Sequence, residues 1–169
     1  MNTPTTRLLV TCVASMAFLS LATPAMADNT PPLVTVAKAS GLNACPVGML
    51  CLYSNSGFNR GGKADIWKIK ADAIGVRNVN LKAYGGNDAA SSIYNNTDKT
   101  FKIAADFNTE NDGSVTCSGT YLVSINRSVV NTGQIPNLKN VWVHPGGGSN
   151  SSHENFNDSA SCVTSYYGS

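Results

Sequence analysis

Charge is scarce in this chain. Asp, Glu, Lys and Arg make up 13% of its 169 residues, against about 25% in ordinary globular domains. Asn, Ser, Thr and Gly stand in their place, which favours turns and hydroxyl-bearing strands over helices. No stretch of about 11 residues keeps a helical apolar period without Gly or Asn interrupting it. No Lys/Arg cluster marks a nucleic-acid or lipid surface, so neither partner is expected. Long apolar runs are also missing. The one at residues 8–22 falls short of the roughly 20 residues a membrane span needs.

Histidine is nearly absent, with only His144 and His153. The segment His153-Glu154-Asn155-Phe156-Asn157 lacks the second His of a zinc-peptidase helix. No Gly-x-Ser-x-Gly elbow occurs to aim a serine nucleophile. Gly146-Gly147-Gly148-Ser149 is not followed by the Gly-Lys-Ser/Thr of a phosphate loop. The expectation is a protein that is not an enzyme. Trp142 and the Tyr166-Tyr167 pair could stack on a sugar or a peptide, but such aromatics more often belong to a core or an interface.

What is present at the start reads as an export signal. Arg7 supplies a positive end, residues 8–22 the apolar middle, and Ala25-Met26-Ala27 the small-x-small cleavage pattern. Cys12 stands too early to be a lipid-bearing cysteine at the cut. Residues 1–27 carry one base and no acid, so the remaining chain has 11 Lys/Arg against 10 Asp/Glu, a net charge of +1. The expected product is secreted and extracellular, a single domain of ordinary size and a monomer.

Four cysteines remain after cleavage: Cys45, Cys51, Cys117 and Cys162. An even count in an exported chain reads as two disulfides. Three connectivities are open, and Cys45–Cys51 with Cys117–Cys162 is preferred. Structural zinc favours paired C-x₂₋₄-C knuckles, which this spacing does not supply.

Residues 28–43, with Pro31-Pro32, read as an N-terminal extension lying along or off the domain. From residue 44 onward the signals are short strands between turns. Met49-Leu50-Cys51-Leu52-Tyr53 is an apolar run closed by Ser54-Asn55-Ser56-Gly57, and residues 64–70 alternate. Further strands are expected at 91–94, from 100, at 121–125 and at 141–143, with one helical turn within 70–76. This spacing points to an all-β sandwich or barrel-like domain.

One pattern is written twice. Asn87-Asp88-Ala89-Ala90-Ser91-Ser92 returns 70 residues later as Asn157-Asp158-Ser159-Ala160-Ser161-Cys162. Each copy puts short oxygen-bearing side chains at a turn that leads into a strand. The repeat divides the domain into halves at about 45–98 and 99–166, one supersecondary unit built twice.

Cys45-Pro46-Val47-Gly48-Met49-Leu50-Cys51-Leu52-Tyr53, followed by Gly57-Phe58 and Gly61-Gly62, resembles the opening of the secreted, actinomycete-type bacterial metalloproteinase inhibitors (peptidase inhibitor family thirty-six). Pro46 holds Cys45 extended, and Gly48 permits the reversal that brings Cys51 near. The Asn-Asp hexapeptide is similar to the closing part of a βγ-crystallin Greek key. The resemblance implies an all-β, βγ-crystallin-like domain of two Greek-key motifs, stapled by disulfides. It also implies an inhibitor whose partner is an extracellular metalloprotease, held off by a disulfide-anchored loop.

In such inhibitors the loop sits in a Val-Thr-Cys-Val setting, and here Val115, Thr116, Cys117, Ser118 and Gly119 fall in the corresponding region. The second loop cysteine is missing, which sends Cys117 to Cys162, and Gly119 works against rigidity. In the βγ-crystallins the hexapeptides form a two-site calcium clamp. Carried over by position, the metal ligands would be Asn87, Asp88 and Ser91 with Asn157, Asp158 and Ser161. The plainer alternative is a pair of Asx-type turns. No cofactor is required by the inhibitor reading; calcium would be one under the alternative, a structural βγ-crystallin module with no protease target.

Overall fold

The computed structural model describes residues 33–74, 78–124, 133–144 and 151–165. The signal segment 1–27, the start of the extension, Gly146-Gly147-Gly148 and Tyr166-Tyr167 lie outside the described residues.

The described residues form eleven strands: β1 (Val34–Ala39), β2 (Met49–Tyr53), β3 (Ala64–Lys70), β4 (Val79–Asn80), β5 (Ser92–Asn96), β6 (Phe101–Thr109), β7 (Val115–Ser124), β8 (Gln134–Ile135), β9 (Val141–Val143), β10 (Ser152–Glu154) and β11 (Cys162–Ser165). A single helical turn, α1 (Ala71–Ile74), follows β3. One sheet runs β1-β3-β2-β5-β8 and the other β4-β11-β6-β7, while β9 and β10 make a separate hairpin.

The order carries the fold. Strands β2, β3, β4 and β5 are the first half, and β6, β7, β8 and β11 the second. Each half keeps three strands in its own sheet and lends the third to the other: β4 pairs with β11, and β8 with β5. This all-β pair of interlocked Greek keys is the βγ-crystallin-like arrangement that the resemblance implies, with one unit built twice as the repeat suggests. Two features are added to it. Val34–Ala39 lies antiparallel along β3 as an edge strand, so the extension contributes to the sheet. The β9–β10 hairpin fills the second half's final connection.

Alternation sorts the side chains. Leu50, Leu52, Trp67, Ile69 and Ile93 face inward from the first sheet, meeting Phe101, Ile103, Leu122 and Val163 from the second. The outer face of the first sheet builds a smaller cluster of Cys45, Cys51, Tyr53, Phe58 and Ile66. The two disulfides are Cys45–Cys51 and Cys117–Cys162, the preferred connectivity. The first belongs to that outer cluster and the second joins β7 to β11.

Tyr53 is fully buried there, its hydroxyl donating to the Gly41 carbonyl at 3.2 Å. Burial, helped by the neighbouring Tyr94 phenol, pushes its pKa up to about 12. Asn59 is also buried: its amide donates to the Ala39 and Asp65 carbonyls, each at 3.0 Å, and its oxygen accepts the Asn55 N–H at 2.8 Å. It thereby ties the β2–β3 connection to β1. Buried amides of this kind hold a turn because leaving them unpaired would cost about 1–3 kcal/mol.

Candidate functional site

Strands β6 and β7 make the longest hairpin among the described residues. Near the sheet they pair from Phe101↔Ser124 to Ala104↔Tyr121, and further out from Asp106↔Ser118 to Thr109↔Val115, with a shift in register between. Gly119 lies at that shift with φ 74°, and a Cβ there would stand 2.8 Å from an Asp106 carboxylate oxygen. A positive φ in a bulge is what glycine allows. The residue expected to loosen the segment therefore bends it at a defined point.

The hairpin tip is a compact turn. Glu110 N–H donates to the Ser114 carbonyl and Gly113 N–H to the Glu110 carbonyl, both at 2.9 Å. The Asp112 carboxylate accepts the Ser114 N–H at 2.9 Å. Bonds from the Ser114 hydroxyl and then its amide hold that carboxyl below the usual range. Residues 110–114 are all exposed.

Two cross-links fasten the outer part of the hairpin to the body. Cys117 is bonded to Cys162, which is fully buried on β11. The Asn78 side-chain amide, just before β4, donates to the Val115 carbonyl at 2.6 Å. Residues 115–119, read from the sequence as a loop, thus lie in strand β7 and are held at one end and in the middle. Among the described residues, β7 pairs with no strand other than β6 apart from the Tyr121–His144 bridge. Among the described residues no strand pairs along its outer edge from 115 to 120. Nothing in the sequence singles out Asn78, a lone amide 37 residues from its partner.

The repeated hexapeptides meet at the junction of the two halves. Asp88 N–H donates to the Ala160 carbonyl at 3.2 Å, and Asp158 N–H to the Ala90 carbonyl at 3.0 Å. Side chains cross in the same way: the Ser161 hydroxyl donates to Asp88 at 3.0 Å, and the Ser91 hydroxyl to Asp158 at 3.5 Å. Asn87 and Asn157 each donate to the aspartate that follows them. Both aspartates have positive φ, 51° and 56°, which Asp tolerates better than most residues.

All six candidate ligands are therefore brought together, three from each half. The donor set is hard oxygen, which suits calcium, and both carboxylates are exposed. Among the described residues no three His, Cys, Asp or Glu cluster in a way that could hold a metal. A cation here would depend on one carboxylate per half with hydroxyl, amide and backbone oxygens.

Residues 38–118 match peptidase inhibitor family I36. This stretch of the chain is similar to that family. The match runs from the end of β1 through Cys117 and Ser118, and so takes in the Cys45–Cys51 opening and the outer hairpin but not Cys162 or the β9–β10 hairpin. No curated protein matches the chain in sequence. One solved structure, described as "Evolution of the eye lens beta-gamma-crystallin domain fold", is 19% identical, with 79% of this chain and 98% of that chain covered and a TM-score of 0.45. Among the described residues no helix is long and apolar enough to cross a membrane.

Proposed function

We propose that this chain is an exported peptidase inhibitor and blocks an extracellular metalloprotease by laying the outer edge of β7, residues 115–119, in the active-site cleft. The observation that carries the reading is the double fastening of this segment by Cys117–Cys162 and by the Asn78–Val115 hydrogen bond. An extended edge offers backbone N–H and C=O groups to a cleft in the manner of an added strand. Fixing that edge before binding removes the ordering cost that a flexible substrate carries, so the segment binds without being efficiently turned over. Export is supported by the signal pattern at residues 1–27 and by two disulfides, which persist in oxidising surroundings. The metalloprotease class is supported by the opening motif from Cys45 to Tyr53. The test is titration of thermolysin-like and serine peptidases with the oxidised protein. Stoichiometric inhibition of the metalloprotease, lost on reduction, is the expected result; uniform failure to inhibit rejects the reading.

The crossed Ser161–Asp88 and Ser91–Asp158 contacts support calcium binding as a second property. Asp88 with Ser161, and Asp158 with Ser91, would hold an ion at the junction of the halves, tightening the scaffold that carries the hairpin. One carboxylate per site places the affinity in the weak extracellular class, about 10⁻⁴–10⁻³ M.

A further inference from the structure

The second half spends more chain than the first on its last connection. Eleven residues separate β4 from β5, whereas 26 separate β8 from β11. The surplus builds the β9–β10 hairpin, which lies beyond the residues that match the family. Val143 points into the core and is fully buried, so its strand neighbour Trp142 points out and is 59% exposed. An exposed indole contributes nothing to the core.

Trp142 is nonetheless held. His153 stands opposite it in the register, with ring centroids 4.1 Å apart and planes tilted by 57°. The His153 Nδ1 and the Asn140 side-chain oxygen are 3.1 Å apart, which steadies the imidazole. The base of the insertion is pinned by Phe156 N–H to the Leu138 carbonyl at 2.7 Å and Leu138 N–H to the Ser91 carbonyl at 3.1 Å.

The hairpin is also joined to β7. Tyr121 and His144 exchange backbone hydrogen bonds at 2.9 and 2.7 Å, and their rings stack at 5.2 Å. His144, just past β9, lies two residues from Trp142 and so on the same face of the extended chain, and Tyr121, His144, Trp142 and His153 form a row of rings running outward from the strand that carries Cys117. Tyr121 is four residues from Cys117, about 13 Å along a strand, well inside the footprint of an interface burying roughly 800 Å² per partner. Beside Trp142 is an open groove of about 280 Å³ whose walls include Leu122, Ile135, Val141 and Asn140; among the described residues no Lys, Arg, Asp or Glu lines it.

We infer that this aromatic row is a second contact surface for the peptidase, taking an uncharged apolar side chain of the enzyme's surface into the groove beside Trp142. The inference rests on the inhibitor reading above. Tyr and Trp are the residues that anchor interfaces, and they do so from preorganised, dehydrated positions. The row is continuous with the β7 edge, so a peptidase seated on residues 115–119 meets it without any rearrangement.

The test compares wild type, Trp142→Ala and Trp142→Phe as inhibitors of one metalloprotease, with melting temperatures measured alongside. Trp142→Ala should raise the inhibition constant by about thirtyfold or more, the scale of a hot-spot truncation, with Trp142→Phe retaining most of the affinity and both variants melting close to wild type. Should Trp142→Ala fail to fold, emission decides: Trp67 is buried, so a blue shift on complex formation that wild type shows and Trp142→Phe lacks reports Trp142 entering the interface. Wild-type inhibition with an unchanged constant for Trp142→Ala, or with no shift in emission, overturns this inference and leaves the inhibitor reading intact. Absence of inhibition by wild type removes both.

Discussion

Asn78, in the first half of the chain, donates through its side-chain amide to the backbone carbonyl of Val115, in the second half, at 2.6 Å. The Greek-key exchange makes this possible. Strand β4 crosses to the sheet of the second half, bringing Asn78 under the hairpin that bends at Gly119. Asn78→Ala removes one hydrogen bond of about 1 kcal/mol and frees one end of residues 115–119. The expected result is a small drop in denaturant midpoint with a clear weakening of inhibition. Equal inhibition by the variant would mean that Val115 need not be fixed.

The Cys117–Cys162 disulfide fastens the middle of the same segment across 45 residues of sequence. On the chain-entropy account such a loop stabilises by about 4 kcal/mol. The double variant Cys117→Ser with Cys162→Ser should lose stability on that scale, read from urea unfolding. It should also inhibit poorly at temperatures where it is still folded. Loss of stability with full inhibitory potency would separate the staple from the contact.

Much of this arrangement was legible from the chain, and what was not has physical causes. The Cys45 to Tyr53 opening and the two Asn-Asp hexapeptides mark the start of the first half and the end of each, because their turns need specific residues. The third strands β4 and β8 are two residues long, too short to carry an alternation, so the exchange that interlocks the halves could not be read. Residues 115–119 are a loop only by the resemblance to the inhibitors, and Gly119 argues against a rigid segment there; in the fold Gly119 supplies the positive φ of a bulge within a strand. Val34–Ala39 followed Pro31-Pro32 and lacked a local partner, since its pairing with β3 is reached only across the intervening β2. Asn78 belongs to no motif, and only the fold shows what it touches.

The crossed hexapeptides predict a response to calcium. A ligand that binds only the folded state must stabilise it. With a dissociation constant of about 10⁻⁴–10⁻³ M, 10 mM calcium should add about 1.4–2.7 kcal/mol. The measurement is the melting temperature in calcium against chelator, for wild type and for Asp88→Asn with Asp158→Asn. An upward shift in wild type that is lost in the variant supports the clamp, and identical melting in both conditions rejects it.

Tyr53 predicts where alkaline stability fails. Its phenol is raised to about 12 by burial and by Tyr94, whereas in the unfolded chain it titrates near about 10. The unfolded state therefore loses its proton first. The contribution of Tyr53 is complete below about pH 10 and declines as pH rises towards 12. Tyr53→Phe keeps the ring and removes the titration, so its stability should fall less steeply than that of wild type across this window. Parallel curves would contradict the assignment.

The most direct test of the central claim is amide hydrogen exchange on the complex with a thermolysin-like metalloprotease. New protection at residues 115–119 of β7, with none on the outer face that carries Cys45–Cys51, is the result this account predicts. Protection confined to that outer face, with the hairpin exchanging as freely as in the unbound protein, would contradict it.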